Sequence, residues 1–513
     1  MWKFRLLKAL RVIVSLLVLV WFLAGFSSLF PLGGMAARAE FLPSLLRALT
    51  RFSLISLAFF AVILALSLLV GRLYCSFCCP LGVLQDVAAR VGRAVSFGRF
   101  RYKTQPERRR FRYAVLIVLA AAALGCWIFP LGLLEPYTLF GRNAAGPGQE
   151  FLIAVNNRLY GHFDSLAPLE KRPPFPAVPA LVAGGVLLAV LGAAAYRGRL
   201  FCNTFCPAGT LLGLCSKHAL FPVRLDAAAC MKCGQCVKVC KAGCIDLRNR
   251  TLDSERCVDC MNCGTACRFG AIRFGRRPEK PAAADAGRRG FLVAAGASGI
   301  VAFLAGRLAA RGGVTRDFSG GAVPPVMPPG AGTREEFLRR CTGCGLCVAN
   351  CTGRTLKPAF LEYGAAGMGM PMLTFEVGKC EFDCRNCSSL CPTGALRKLN
   401  EEEKHRCKIG TVRYFREHCV VVTDETSCGA CAEHCPTGAL QMVPYKGSLT
   451  IPHVIEDLCI GCGGCQYICP ALWGEGKKAV MVYGAERQGR AADPHKVLEK
   501  PEKTHPAAED FPF

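Results

Sequence analysis

The sequence predicts a helical membrane domain that carries two compact, cysteine-rich α+β domains, and three observations predict it. Apolar runs of about 20 residues recur between residues 9 and 196. Cysteines, 33 among 513 residues, fall mostly outside those runs in regularly spaced groups. Basic residues outnumber acidic ones, for a formal charge of +26, and gather between the apolar runs.

The apolar runs are 9–30, 52–71, 113–132 and 177–196. Each matches the roughly 20 residues a helix needs to cross about 30 Å of hydrocarbon. Apart from Arg11, none carries Asp, Glu, Lys or Arg. A soluble core helix rarely stays apolar all round for that length. Basic residues in short loops set orientation. The N-terminus carries Lys3, Arg5, Lys8 and Arg11; residues 72–112 hold ten Lys/Arg, and residues 133–176 hold four. The N-terminus, the 72–112 loop and the chain after residue 196 are therefore expected in the cytoplasm. Inside-facing loops explain the basic charge more simply than a nucleic-acid surface, so no nucleic-acid partner is expected.

Six runs of four cysteines organise the rest. Cys230, Cys233, Cys236 and Cys240 are spaced C-x2-C-x2-C-x3-C. The spacing returns at Cys257, Cys260, Cys263 and Cys267, at Cys341, Cys344, Cys347 and Cys351, and at Cys459, Cys462, Cys465 and Cys469. Two variants follow: Cys380, Cys384, Cys387 and Cys391, then Cys419, Cys428, Cys431 and Cys435. Disulfide frameworks belong to short secreted domains. Zinc knuckles pair two C-x2-C units across a longer gap. Three thiolates within seven residues and a fourth soon after match the bacterial ferredoxin pattern for [4Fe–4S] clusters, in which the fourth cysteine serves the neighbouring cluster. Six clusters are expected. In the first pair, Cys267 completes the Cys230 run and Cys240 completes the Cys257 run. The later four read as nested, because Cys391 and Cys435 open identical C-P-T-G-A-L segments. That reading pairs Cys380, Cys384 and Cys387 with Cys435, and Cys419, Cys428 and Cys431 with Cys391. It leaves Cys341, Cys344 and Cys347 to Cys469, and Cys459, Cys462 and Cys465 to Cys351. The usual proline after the fourth cysteine is replaced by Lys241, Arg268 and Thr352 in three runs.

A second motif occurs twice, GRLYCSFCCPLG at 71–82 and GRLFCNTFCPAG at 198–209. Each follows an even-numbered apolar run, which implies a repeat of two helices. One reading is a repeated turn with buried thiols. The other brings Cys75, Cys79, Cys202 and Cys206 together as a further redox or metal site. Cys78, Cys126, Cys215, Cys244 and Cys407 are read as plain thiols.

Residues 276–333 read as a linker, with Arg288-Arg289-Gly-Phe-Leu before an apolar stretch at 291–306. This is a twin-arginine-like export signal, retained as an anchor, or an ordinary fifth helix. A domain that folds around its metal must cross a membrane already folded. The expected domains are 1–220 in the membrane, 221–275 with two clusters, the 276–333 linker, 334–484 with four clusters outside, and a disordered tail at 485–513.

No C-x-x-C-H motif attaches haem c, and none of the eight histidines lies in an apolar run. No nucleotide-binding G-x-G-x-x-G unit is found, and no catalytic residue is assigned. Glu135 reads as an interfacial residue, or else as a proton acceptor for a quinol.

The four apolar runs, two C-x3-C-P motifs and first cysteine pair resemble the NapH-type membrane iron–sulfur subunit of periplasmic nitrate reductase systems. Residues 288–484, with FDCRNCSSLCPTGAL and HCVVVTDETSCGACAEHCPTGAL, resemble the NapG/MauM-type ferredoxin. The resemblance implies a fused quinol dehydrogenase component in the bacterial inner membrane, multi-pass, with its C-terminal domain in the periplasm. It would pass electrons from the quinone pool to a periplasmic reductase or its cytochrome. The alternative is delivery of reductant for maturation or reactivation of a periplasmic metalloenzyme.

Overall fold

The computed structural model describes residues 2–26, 33–96, 102–106, 108–160, 175–275, 288–309, 315–316, 322–472 and 477–493. Long helices pack against one another, and a small cysteine-rich domain sits at each end of them. The N-terminal half begins with α1 (Trp2–Phe26), α2 (Gly33–Arg38), α3 (Phe41–Arg51), α4 (Leu54–Leu69), α5 (Tyr74–Phe77) and α6 (Pro80–Val95). There follow α7 (Arg109–Leu124), α8 (Phe129–Leu134), α9 (Pro136–Asn143), α10 (Gln149–Tyr160), α11 (Ala177–Arg197) and α12 (Pro207–Lys217). Helices α13 (Gln235–Val239) and α14 (Asn262–Ala266) belong to the first cysteine domain, and α15 (Arg288–Ala309) leads to the second.

The apolar runs form helices, with shifted limits. Among the described residues, only α1 and α11 are both long and apolar enough to cross a membrane, whereas α4 and residues 295–309 are apolar but shorter. The expected four-helix domain is therefore matched in full by two helices. The run at 113–132 is cut because Gly125 caps α7 and Cys126 adopts φ 72°, which turns the chain into α8. The run at 52–71 is cut because Phe52 caps α3 in the left-handed region, φ 48°.

Helices α1 and α7 each contact both cysteine domains. At its start, α1 lays Phe4 on Phe274, with ring centroids 5.6 Å apart. At its end, the Gly25 carbonyl accepts from Asn350 Nδ2 at 3.0 Å. The first turn of α7 meets Glu255 through Arg112 at 3.1 Å; just beyond its last turn, Cys126 Sγ lies 3.0 Å from Arg339 Nε. The two domains thus lie at opposite ends of one helical layer.

The inner domain, residues 221–275, has antiparallel pairs Val223–Leu225 with Ile272–Phe274 and Ile245–Asp246 with Thr251–Leu252. The outer domain pairs Leu356–Pro358 with Pro371–Leu373, Leu440–Pro444 with Thr450–Val454, and Cys407–Tyr414 with Val480–Arg490. Its limits exceed the expected 334–484. Val326 and Met327 are in its core, and Gln488 donates to Met327 O (3.1 Å) and Pro328 O (2.8 Å). Residues 322–333, expected as tether, and 485–490, expected as tail, are thus built into the domain. The rest of the tail, from 494, and the linker to 287 lie outside the described residues.

Small residues seat α15 on α7. A methyl group added at Gly306 would meet the Ala122 and Gly125 carbonyl oxygens, both at 2.9 Å. Small-residue faces of this kind let helix backbones approach closely. Gly306→Val should therefore push the helices apart and cost about 1–3 kcal/mol, read as a lower unfolding midpoint of the detergent-solubilised protein; an unchanged midpoint would contradict this packing.

Candidate metal centres

Four of the six runs share one backbone device. Two residues after the first cysteine and one after the second, φ is positive: Lys232 (51°) and Gly234 (76°), Asp259 (48°) and Met261 (61°), Gly343 (68°) and Gly345 (78°), Gly461 (73°) and Gly463 (76°). Alternating left-handed residues turn successive N–H groups toward the centre of a loop, a concavity suited to an anionic cluster. Lys232, Asp259 and Met261 adopt this conformation without the freedom of glycine.

The donor chemistry fits a polynuclear cluster. The cysteines of the six runs are mostly buried and free of disulfides. Among the described residues, no three cysteine sulfurs lie within 4.8 Å of one another. Four thiolates on one zinc ion, at Zn–S about 2.3 Å, would stand about 3.8 Å apart. Sulfurs held wider apart suit the corners of a [4Fe–4S] cubane, which supplies reversible one-electron chemistry when bound.

In the inner domain, Cys267 stands beside Cys230, Cys233 and Cys236, and Cys240 stands beside Cys257, Cys260 and Cys263. The outer domain differs from the nested expectation. Cys391, not Cys469, acts electrostatically on Cys341, Cys344 and Cys347. Cys351, not Cys435, joins Cys380, Cys384 and Cys387, and Thr352 Oγ1 reaches Cys384 Sγ at 3.1 Å. Cys469, not Cys391, approaches Cys431 along with Cys419 and Cys428. Cys435, not Cys351, approaches Cys459, Cys462 and Cys465. Successive runs pair, as short loop closure favours. The repeated C-P-T-G segment marks a shared turn, not a partnership. Thr393 and Thr437 hydroxyls lie 3.7 Å from Cys391 and Cys435 respectively, and Gly394 and Gly438 follow with φ 73° and 64°.

The two C-x3-C-P motifs meet between the domains. Cys75, Cys79, Cys202 and Cys206 are buried in one cluster that also holds Cys236, Cys240, Cys260 and Cys263. Cys79 and Cys206 cap α6 and α12, with prolines 80 and 207 at the first helical positions, and accept from Gly82 N (3.3 Å) and Gly209 N (3.2 Å). A methyl group at Gly82 would meet Cys75 O at 2.5 Å, and one at Gly209 would meet Cys202 O at 2.4 Å. Close approach thus explains the glycine in each motif. The arginines of the GRL triplets cross over. Arg72 donates to Asn203 Oδ1 (2.8 Å) and Cys202 O (3.3 Å), and Arg199 donates to Cys75 O (2.9 Å).

Sequence reasoning missed those two arginines, although both stand at the same place in the repeated motif. It also missed Asp86, which joins Arg11 (2.9 Å), Arg199 (2.9 Å) and Lys241 (3.2 Å). Burial would raise the Asp86 carboxyl, but these cations reverse the effect and hold it below the ordinary carboxylate range. Its ionised form therefore stabilises the fold at neutral pH, and this contribution fades only as pH falls below the ordinary carboxylate pKa of about 3.9. Lys241 stands where ferredoxins place proline because it closes this cluster. Glu135, expected at an interface, is instead 0% exposed and caps α9 by accepting from Thr138 N at 2.6 Å.

These features define a multi-cluster, ferredoxin-type electron-transfer protein. Descriptions of 4Fe-4S binding domains match residues 52–99 and 179–225, and, separately, 227–243 and 339–363; a 4Fe-4S dicluster domain matches 426–472. The methylamine utilization ferredoxin-type protein MauM of Methylorubrum extorquens is 32% identical over 152 residues, 28% of this chain and 67% of that protein. The ferredoxin-type protein NapG of Escherichia coli is 30% identical over 162 residues, 28% of this chain and 65% of that protein. The putative electron transport protein YccM of Escherichia coli is 24% identical over 183 residues, 34% of this chain and 43% of that protein. No solved structure matches the chain at a significant level. Through its ferredoxin part, the chain belongs to the MauM/NapG family of ferredoxin-type proteins.

The revised pairing has a direct test. Cys351→Ala and Cys384→Ala should remove ligands from the same cluster. The double variant should lose about four iron atoms per chain, no more than either single variant. Loss of about eight, by anaerobic iron and sulfide analysis, would restore the nested arrangement.

Proposed function

We propose that this chain is a membrane-anchored quinol dehydrogenase component that passes electrons to a periplasmic terminal reductase or its cytochrome, as in a nitrate-reductase-type system. The observation that carries the reading is the placement of two cysteine-rich domains at opposite ends of one helical layer, joined by α1 and α7. In support, Phe4 near the N-terminus and Arg112 both contact the inner domain, and the basic residues around them favour a cytoplasmic face.

Six [4Fe–4S] clusters are assigned, two in the inner domain and four in the outer one. Each quinol oxidised releases two electrons and two protons. The electrons leave singly through the clusters, and the protons need acceptors in the helical layer. Glu40 and Glu135 are buried there; Tyr74 donates to Glu40, and Glu40 and Glu135 interact electrostatically. Arg142 holds the outer domain to this layer by donating to Thr342 O (2.8 Å) and Gly343 O (3.1 Å), beside Cys341 and Cys344. The protein thereby keeps a cluster site close to the membrane while presenting the rest of the outer domain to a soluble partner.

Membranes containing the chain should oxidise a quinol analogue and reduce an external acceptor. Arg142→Ala, which loosens the docked domain, should slow acceptor reduction at least tenfold while the iron content is kept. Equal rates would argue against this route.

A further inference from the structure

We propose that Cys75, Cys79, Cys202 and Cys206 ligate one further [4Fe–4S] cluster, shared between the two helical repeats, which relays electrons between the inner and outer domains. The proposal extends the reading above, because that reading leaves the helical layer without a carrier.

The site is built as a ligand site. The four cysteines are only 2–4% exposed, and each repeat contributes two. Two helix N-termini point at it, with Gly82 N and Gly209 N donating to Cys79 and Cys206. Arg72 Nη2 lies 3.8 Å from Cys75 Sγ, Arg199 Nη1 3.9 Å from Cys202 Sγ, and Gln85 Nε2 3.4 Å from Cys202 Sγ. Arg72 and Arg199 are 0% and 1% exposed, and Arg72 Nε and Arg199 Nη2 have no hydrogen-bond partner. The remaining acceptors of the Arg72 side chain are neutral oxygens of Asn203, Cys202 and Glu255. A buried guanidinium needs anionic neighbours: Arg199 has Asp86 at 2.9 Å, Arg72 interacts electrostatically with the Asp259 carboxyl, and thiolates of the quartet would stand beside both. Four thiolates around a [4Fe–4S]2+ core carry a net charge of about −2, and Arg72 and Arg199, with Arg11 and Lys241 beside them, place more positive charge around the site than Asp86 alone offsets. All four thiols are free of disulfides.

Its position is that of a relay. Toward the inner domain, Ser76 donates to Val258 O, between Cys257 and Cys260. Asn203 Nδ2 donates to Ala242 O at 3.1 Å, two residues past Cys240. Toward the outer domain, Tyr74, next to Cys75, accepts from Phe41 N at the start of α3. Farther along α3, Arg47 donates to Cys391 O at 2.8 Å. One short helix therefore separates the quartet from an outer cluster site. In each passage one electron enters from one neighbouring cluster and one leaves to the other, with no bond made and no proton transferred.

The test is anaerobic iron and sulfide analysis with EPR on the full-length protein in detergent. The proposal expects about 28 iron atoms per chain, against about 24 for six clusters. Cys75→Ser/Cys206→Ser should lose about four iron atoms and one EPR component. Arg72→Gln, which keeps all the thiols, should keep the iron and lower the midpoint potential of that component alone. About 24 iron atoms in the wild type, or iron unchanged in the double cysteine variant, would overturn the proposal. These readouts need no quinol, so quinol oxidation can fail while the site stands, and the site can fail while quinol oxidation stands.

Discussion

The crossing of two arginines between two half-motifs ties the two helical repeats to each other and to the inner domain. Arg72 reaches from the first repeat into the second, and Arg199 reaches back. Each passes over a glycine whose missing side chain leaves the room. Neither guanidinium has access to water, so each must be satisfied inside the protein. Arg199 meets this through Asp86, which also draws in Arg11 of α1 and Lys241 of the inner domain. One carboxylate thereby fixes the first helix, the second repeat and the inner cysteine domain in a single arrangement. Removing it would strand three buried or half-buried cations, and losing one side of such a buried pair typically costs about 3–5 kcal/mol.

The outer domain is joined to the helical layer by a different means. Its contacts are mostly side-chain donors on main-chain acceptors. Arg47, Thr50 and Arg51 of α3 reach the carbonyls of Cys391, Thr393 and Gly394, and Arg142 reaches Thr342 and Gly343. Bonds to main-chain atoms beside cysteines read the shape of a cluster loop. Positive charge from Arg47 and Arg142 next to thiolate ligands also favours the more reduced, more negative state of a bound cluster. The same residues that dock the domain therefore tune the site nearest the layer.

Much of this was legible in the sequence, because cluster ligands leave a rigid spacing. Every cysteine of the six runs is found in a convergent group. The partners of the inner pair were legible because only one partition of two adjacent runs exists. The outer partners were not, because four runs allow several partitions and the repeated C-P-T-G segment suggested the wrong one. That likeness encodes a local turn around Thr393 and Thr437 and carries no information about distant contacts. The helix limits moved for a similar reason: hydropathy does not register the left-handed residues Phe52 and Cys126 that end helices. Asp86 was invisible because a lone acidic residue on an amphipathic helix looks solvated until its neighbours are known. Arg72 and Arg199 were visible as a repeat, but their crossing depends on how the two repeats face each other.

Electron passage through the protein itself is the central claim, and sealed vesicles test it most directly. The chain would be reconstituted without quinone, with a membrane-impermeant reductant inside facing the inner domain and ferricyanide outside. The account predicts ferricyanide reduction that depends on the chain. No reduction above protein-free vesicles, with the clusters intact by EPR, would contradict it.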